Sequence, residues 1–343
     1  MVFLVVRPST RTGTRLTTAS LAAAVLAGCV SAQPAARPAA PSPLPRPPAF
    51  TGRPSPSAVD LATHSGSWPS TERILRTALN RLVGACMAER GFRHPAGSGD
   101  SPVLRAPEDE RAAVDLPGRR RTGYGIAAPS ALRPREPSSP VDAYYRGLTP
   151  DRQRRFDEAL NGPPGSRHRV GGTDWGDVLI PREGCEARGR SALAGDGVLW
   201  ARITYVPEKY DNDLAARISA HPAYRGALET WRTCMQARVY GYSDPDDIVP
   251  ALERRFRAAG PSPGHSPEFN KLEKATAVAD GECALESHVP AVALTVQRAL
   301  VSELPPNNLR TLAELAHHRD EAVRRARAVL KGTAQSSSSS SGS

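Results

Sequence analysis

The sequence predicts a mainly α-helical protein stapled by disulfides, arranged either as a helical bundle or as two helical-hairpin units. About eight segments repeat apolar residues at the i, i+3, i+4 spacing of a helix face. No two segments alternate polar and apolar residues in the way that paired strands do. Cysteines fall within or beside these helical segments, where a disulfide could join two packed helices.

Residues 1–29 have the pattern of an export signal rather than of a folded segment. Three arginines precede Leu16–Ala27, an apolar run too short for a bilayer span of roughly 20 residues. The run ends in Leu-Ala-Gly-Cys at Cys29, which resembles the lipobox of bacterial lipoproteins. The resemblance implies that Cys29 receives a diacylglyceryl group and becomes the mature N-terminus. Membrane lipid would then hold the protein at the extracytoplasmic face of the cell membrane.

An ordinary secretory signal is the alternative. Val30–Ala32 reads Val-Ser-Ala, a small-x-small site, and cleavage after Ala32 would discard Cys29. We favour the lipoprotein because Cys29 stands at the end of the apolar run and a Pro/Ala-rich segment follows it.

Three segments outside the predicted helices are expected to be disordered or exposed. Residues 30–70 are a Pro/Ala-rich tether with too few large apolar residues to offset the entropy of ordering. Such a chain favours the stiff polyproline II helix and would hold the 71–331 helical domain off the membrane. Residues 332–343 form a Ser-rich tail. Residues 96–140 are rich in Pro, Gly, Ser and Arg and predict a long internal loop.

The first predicted helix carries the clearest amphipathic pattern. Ser70 or Thr71 is the expected N-cap. Gly91 is placed for a left-handed C-cap, with Phe92 as the apolar contact of a Schellman-type end. The apolar face consists of Ile74, Leu75, Ala78, Leu79, Leu82, Val83 and Cys86.

Later helices follow from their own start and stop signals. Thr149 and Gly162 bound one helix as N-cap and stop. Val198–Val206 has strand-type residues, yet it also fits helical spacing, and we expect a helix because no second strand is available to pair with it. The other predicted helices span about 183–195, 221–238, 248–260, 291–304 and 307–330. A longer helix, interrupted by Pro290, has one face formed by Phe269, Leu272, Thr276, Ala279 and Cys283.

The dipeptide Cys-Met occurs twice, at Cys86 and at Cys234, and each copy is followed along the chain by one more cysteine, Cys185 and Cys283. This order suggests two duplicated units, 71–195 and 196–331. It favours the disulfides Cys86–Cys185 and Cys234–Cys283 among the three pairings that four cysteines allow.

The second copy of the motif is expected to end its helix at Gly241 and Tyr242. A soft-metal site for Cu(I) is the alternative use of thiolate and thioether. Adjacent residues on a helix point about 100° apart, so one Cys-Met pair does not easily share an ion. We therefore predict no metal and no cofactor.

The exported part resembles uncharacterised exported actinobacterial proteins with repeated Cys-Met motifs. They carry Trp-x-x-Cys-Met and, between two such units, Gly-Cys-x-x-Ala. The matching residues here are Trp231, Cys234, Met235, Gly184, Cys185 and Ala187. The first unit departs from the motif, with Leu82 or Val83 where Trp is expected. The resemblance implies no activity.

The net charge and the lack of catalytic motifs reduce the number of function classes that fit the sequence. The formal charge is +10, from 45 basic and 35 acidic residues. An exported chain without a nucleic-acid-binding motif is not expected to bind nucleic acid, so anionic lipid or cell-wall polymer is the likelier match for this charge. None of the common hydrolase, metalloprotease or nucleotide-binding motifs occurs. Asp244–Asp247 and Tyr210–Asp213 lack the glycine and distal Glu of a calcium loop.

These observations predict a non-catalytic binding or interaction module of the cell envelope, with no catalytic residues. The expected partner is an envelope protein or an anionic cell-wall polymer. The alternative is an envelope hydrolase with an unrecognised active site.

Overall fold

The computed structural model describes five stretches of the 343-residue chain, namely 45–95, 106–126, 140–173, 176–258 and 267–338. All five belong to one unit, Pro41–Ser343. The predicted signal and Cys29 lie outside the described residues.

The described part of the chain is mainly helical, as the sequence predicts. The helices are α1 (Pro56–Thr63), α2 (Trp68–Glu89), α3 (Glu110–Val114), α4 (Leu116–Thr122), α5 (Pro140–Arg146), α6 (Pro150–Asn161), α7 (Gly184–Ala194), α8 (Gly197–Ile218), α9 (Pro222–Ala237), α10 (Ile248–Ala258), α11 (Pro267–Ser287), α12 (Val289–Leu300) and α13 (Pro306–Ser338). Short 3₁₀ turns occur at Pro107–Asp109, Pro245–Asp247 and Val301–Glu303.

α2 ends as the sequence predicts but begins earlier. Its N-cap is Ser67 rather than Ser70 or Thr71, with a proline in the first turn. At its C-terminus the Phe92 amide donates to the Met87 carbonyl at 2.9 Å, while Gly91 has a φ of 76°. This is the predicted Schellman-type end, in which glycine takes the left-handed position at no steric cost.

The ambiguous segment Val198–Val206 is helical. It lies in α8, which the Asp196 side chain caps by accepting from the Leu199 amide at 2.7 Å. Pro207 lies inside α8, where the helix continues on both sides of it. Two of the α8 faces are buried, against the main core and against a hairpin.

The sequence prediction of no sheet misses that hairpin. Strands β1 (Arg167–Thr173) and β2 (Gly176–Pro181) pair antiparallel, with Val170 opposite Val178. The inward residues Val170 and Ile180 are buried against Ala201 of α8. The strands are short and rich in Gly and Arg, so their alternation is too weak to recognise without the helix that covers them.

The largest core draws on both predicted halves, 71–195 and 196–331. It combines residues of α1, α2, α7, α8, α12 and α13, with Leu193, Leu214, Leu312 and Leu315 fully buried. A second cluster surrounds Trp231 between α9, α10 and α11. The two halves therefore share one core instead of packing as separate units.

All three predictions of disorder are wrong in part, since the predicted 332–343 tail is helical as far as Ser338 in α13. Within the predicted 30–70 tether, Ser55 caps α1, and α1 buries Ala58 and Leu61. Within the predicted 96–140 loop, residues 106–126 contain α3 and α4, which pack on α11, and the Pro107–Asp109 turn, which packs on α12. We call residues 106–126 the strap. Short helices of this kind take most of their stability from tertiary packing, so composition alone does not reveal them.

Candidate functional site

The four cysteines form the two predicted disulfides. Cys86 joins Cys185 and Cys234 joins Cys283, each with Cα atoms 5.6 Å apart. The first bridge links α2 to the start of α7, and the second links α9 to the C-terminal part of α11. All four side chains are largely buried, so the bridges tie packed helices and offer no reactive thiol.

Both Cys-Met helices end with the same hydrogen-bond pattern. After α9, the Tyr240 amide donates to the Met235 carbonyl at 2.9 Å and the Val239 amide to the Gln236 carbonyl at 2.9 Å. Val239 has a φ of 68° and so takes the place of the glycine that ends α2. The predicted end at Gly241 and Tyr242 is therefore wrong by two residues, because a valine holds the left-handed position.

The strap is fastened by an ion pair to Asp280 of α11. Arg119 donates to one carboxylate oxygen of Asp280, and the Tyr124 hydroxyl donates to the same oxygen at 2.8 Å. The other oxygen accepts from the Trp231 indole at 3.0 Å. Burial raises the pKa of the Tyr124 hydroxyl, and the neighbouring Asp280 charge adds to this, so the hydroxyl stays a donor. The carboxylate is satisfied by three groups.

Two further carboxylates hold the ends of the strap. Glu273 of α11 is fully buried and accepts from the Ile126 amide at 2.7 Å. Glu110 of the strap lies 2.6 Å from Nδ1 of His288, the N-cap residue of α12. The predicted long internal loop at 96–140 is thus wrong at Arg119, whose side chain is only 22% exposed in this network.

An open polar groove lies where the end of α6 meets the start of α7. It has a volume of about 480 Å³, and its lining includes Arg90, Glu158, Arg182, Glu183, Arg188 and Ser191. Two adjoining depressions of about 350 and 560 Å³ share lining residues with it. We call the 480 Å³ groove the α6–α7 groove.

Two glycines let the helix ends that form this groove approach each other. Gly162 has a φ of 72° and Gly184 a φ of 88°. A Cβ on Gly184 would lie 2.5 Å from the Gly162 nitrogen. Any larger residue at either position would push α6 and α7 apart.

Both signs of charge line the α6–α7 groove. Arg188 pairs with Glu89 at 3.0 Å, and Glu183 accepts from the Ser166 hydroxyl at 2.8 Å. Within the described part of the chain, Arg182 and Glu158 have no side-chain hydrogen bond or ion pair. Among the described residues, Arg182 and Glu158 are therefore a cation and a carboxylate that the groove presents to a ligand.

The smaller depression beside the groove contains the residue types of a hydrolase triad. Ser191, His168 and Asp196 all line it. No hydrogen bond joins any two of these side chains among the described residues, and Asp196 serves as the N-cap of α8. A nucleophile needs its base within hydrogen-bond reach, and the base needs an orienting partner. The three residues line one depression without that geometry.

Other candidate ligands of the sequence have structural roles. Asp244 caps the Pro245–Asp247 turn by accepting from the Asp246 amide at 3.0 Å. Asp211 in α8 accepts from Gln297 and lies 3.4 Å from His64. In the described ranges, no three His, Cys, Asp or Glu side chains come together as a metal site would require.

Of the neighbouring histidines His317 and His318, the second has a side chain that is only 12% exposed. Burial lowers the pKa of His318, although Glu314 and Asp196 oppose this shift. His317 lies on the outside of α13, where its Nε2 donates to the Pro45 carbonyl at 3.2 Å. His317 thus binds the entering chain.

Sequence reasoning missed the groove and the strap contacts. The groove forms because glycines let the ends of α6 and α7 come into close contact. The strap contact joins Arg119 to Asp280, which is 161 residues away in the sequence. The glycines that follow α6 and precede α7 were the available signal, because paired breakers can mark a close crossing as well as two loops.

Comparison with known proteins identified no relative: no family model, curated protein or solved structure matches the chain. Among the helices that the structure describes, none is long and apolar enough to span a bilayer.

Proposed function

We propose that this protein is an exported lipoprotein, anchored through Cys29, that acts as a non-catalytic binding module of the cell envelope. The lipobox ending at Cys29 supports the anchor. The two buried disulfides suit an oxidising compartment outside the cytoplasm. The observation that carries the binding role is the open α6–α7 groove with its free Arg182 and Glu158.

The lining of the groove favours an envelope protein as the ligand. Glu158 and Glu183 stand among three arginines, so a peptide segment, which carries both charges and backbone groups, matches this mixed lining better than a uniform polyanion does. The groove is stabilised by a disulfide and by close helix contact, which keeps its polar groups in place before binding.

A hydrolytic role has weaker support. The clearest buried polar cluster, around Asp280, is satisfied by three donors and lies inside the strap contact. Ser191 lacks a hydrogen-bonded base among the described residues. We expect a fluorophosphonate probe to leave Ser191 unlabelled. Labelling that disappears in Ser191→Ala would contradict the non-catalytic role.

Lipid anchoring is tested by blocking the signal peptidase of lipoproteins. With globomycin present, we expect the unprocessed precursor to accumulate in the membrane. The mature protein should carry a lipid-modified Cys29 at its N-terminus by mass spectrometry. An N-terminus at residue 33 in untreated cells would instead identify the secretory alternative.

The groove is tested by site-specific photocrosslinking in intact cells. A photoreactive residue at Ser191 should give a discrete adduct, which Arg182→Glu abolishes. The control position is Thr230, an exposed residue of α9 away from the groove. Equal amounts of adduct at positions 191 and 230, or an adduct at position 191 that is unchanged by Arg182→Glu, would contradict a ligand in the groove.

A further inference from the structure

The outer side of α13 carries a row of basic residues. Arg310, His317, Arg324 and Lys331 follow one another at seven-residue intervals, close to two helical turns. Arg324 and Lys331 are exposed, and Arg327 is exposed one turn beyond Arg324. After Glu321 the printed sequence contains no Asp or Glu side chain. From Arg324 to Lys331, the exposed charged side chains of α13 are therefore all basic.

The surface stays positive overall, although Asp320 is exposed one turn before Arg324. Glu321 pairs with Arg324, but the Arg324 side chain remains 63% exposed while that of Glu321 is only 10% exposed. From the adjacent helix α2, Arg81 donates to the Leu330 carbonyl at 3.2 Å and adds its charge. We call Arg81, Arg324, Arg327 and Lys331 the basic face.

The chain enters the folded unit on the same row. The Pro45 carbonyl binds His317, seven residues or about 10 Å before Arg324 along α13. Phe50 then packs against the main core. Between Cys29 and Pro45 there are only 16 residue steps, which span at most about 56 Å when fully extended. The lipid end of the chain thus joins the protein beside the basic face.

We propose that the basic face binds the phosphate headgroups of anionic lipids in the membrane that holds Cys29. This inference rests on the proposed lipid anchor. Basic side chains are attracted to an anionic bilayer within about a Debye length of its surface, roughly 8 to 10 Å, and a tether of at most about 56 Å lets the basic face reach that distance. Acyl chains retain the protein, and the basic face orients it.

Vesicle binding tests the basic face without the lipid anchor. The protein is residues 30–343, which contain every described element and both disulfides but no Cys29. We expect it to bind vesicles of phosphatidylcholine with added phosphatidylglycerol, and not vesicles of phosphatidylcholine alone. Each Lys or Arg near the surface contributes about a fivefold gain in partitioning. The triple variant Arg324→Gln, Arg327→Gln, Lys331→Gln should therefore bind about 100-fold more weakly.

The matched control removes the same charges elsewhere. Arg225→Gln, Arg254→Gln, Lys271→Gln changes two Arg and one Lys at exposed helical positions of α9, α10 and α11. Equal loss of binding in both triple variants would show a general effect of net charge and overturn the proposal. So would binding to phosphatidylcholine alone. Tighter binding to soluble poly(glycerol phosphate) than to vesicles, lost in the first variant, would assign the face to a cell-wall polymer instead.

The anchor and the basic face can fail separately. If globomycin has no effect but only the first triple variant loses binding to anionic vesicles, the proposed anchor is wrong and the proposed basic face is supported. If Cys29 is lipid-modified but the vesicles do not discriminate, the anchor stands and the basic face is wrong.

Discussion

Val239 has the least favourable backbone conformation of any exposed apolar residue in the described part of the chain. It is β-branched, 93% exposed and left-handed, so its side chain gains little from packing. The left-handed conformation costs a residue with a Cβ about 1 to 2 kcal/mol. The equivalent position after α2 is a glycine. The two Cys-Met helices therefore share one end geometry, with strain in only one copy.

Val239→Gly should stabilise the protein. Relief of the left-handed strain is partly offset by the greater freedom of glycine in the unfolded chain, for a net gain of about 0.5 to 1 kcal/mol. Chemical denaturation with the disulfides intact measures it. Gly91→Val, the reverse change at the matching position, should lower stability by at least as much. If both changes act in the same direction, the two ends are not equivalent.

Removal of Arg119 tests the buried ion pair. The Asp280 side chain is only 7% exposed, so Arg119→Met would leave its charge without a counterion and cost about 3 to 5 kcal/mol. Arg120→Met is the control, because Arg120 is 61% exposed and lies 3.4 Å from a half-exposed Glu282. That change should cost less than about 1 kcal/mol. Similar unfolding midpoints for the two variants would contradict a structural role for the pair.

Local sequence predicts some of these residues and not others. The disulfide partners follow from the order of four cysteines, since an alternating arrangement of two like units leaves few sensible pairings. Arg119 has no such signal. It stands among two other arginines between Pro and Gly, and its partner lies in a helix far along the chain. The pairing of one charge with another depends on tertiary packing.

At the scale of the element, two glycines inside helices differ in whether another element packs against them. Gly281 of α11 and Gly226 of α9 both lie inside helices. A Cβ at Gly281 would lie 2.7 Å from Leu116 and 2.9 Å from Arg119 of the strap, whereas a Cβ at Gly226 would meet nothing within 4 Å. The strap thus depends on the missing side chain of Gly281.

Alanine at these two positions should therefore act in opposite directions. Gly226→Ala should raise stability by about 1 kcal/mol, the difference in helix propensity. Gly281→Ala should lower it by about 1 to 3 kcal/mol, because the strap must shift. Hydrogen exchange should show the loss in α3 and α4 first. A stabilised Gly281→Ala protein with an unchanged strap would refute the packing argument.

Elements were predictable where their signal was local. The Schellman-type end of α2 and the Thr149 cap of α6 follow from residue types at fixed positions, and both are present. The α1 helix and the strap were not predicted, because they lie in Pro-rich stretches of sequence and depend on tertiary contacts for their stability. The groove has no local signal, since it depends on two helix ends that are brought together by the fold.

At the scale of the whole molecule, α12 connects the two main clusters. Its first residue, Val289, belongs to the cluster around Trp231, while Leu294, Val296 and Leu300 belong to the main core. α2 and α13 close the main core from opposite ends of the sequence. A lipid-anchored module built in this way would keep the α6–α7 groove and the basic face in a fixed relation.

Such a shared core should unfold as one unit. Leu312 of α13 is fully buried, so Leu312→Ala should cost about 2 to 5 kcal/mol through lost contacts and a cavity. Hydrogen exchange under mild denaturant measures the free energy of opening for each amide. In the Leu312→Ala variant, this free energy should fall by the same amount for the slowest-exchanging amides of α2 and of α9. If α9 kept its protection while α2 lost it, the cluster around Trp231 would fold independently of the main core.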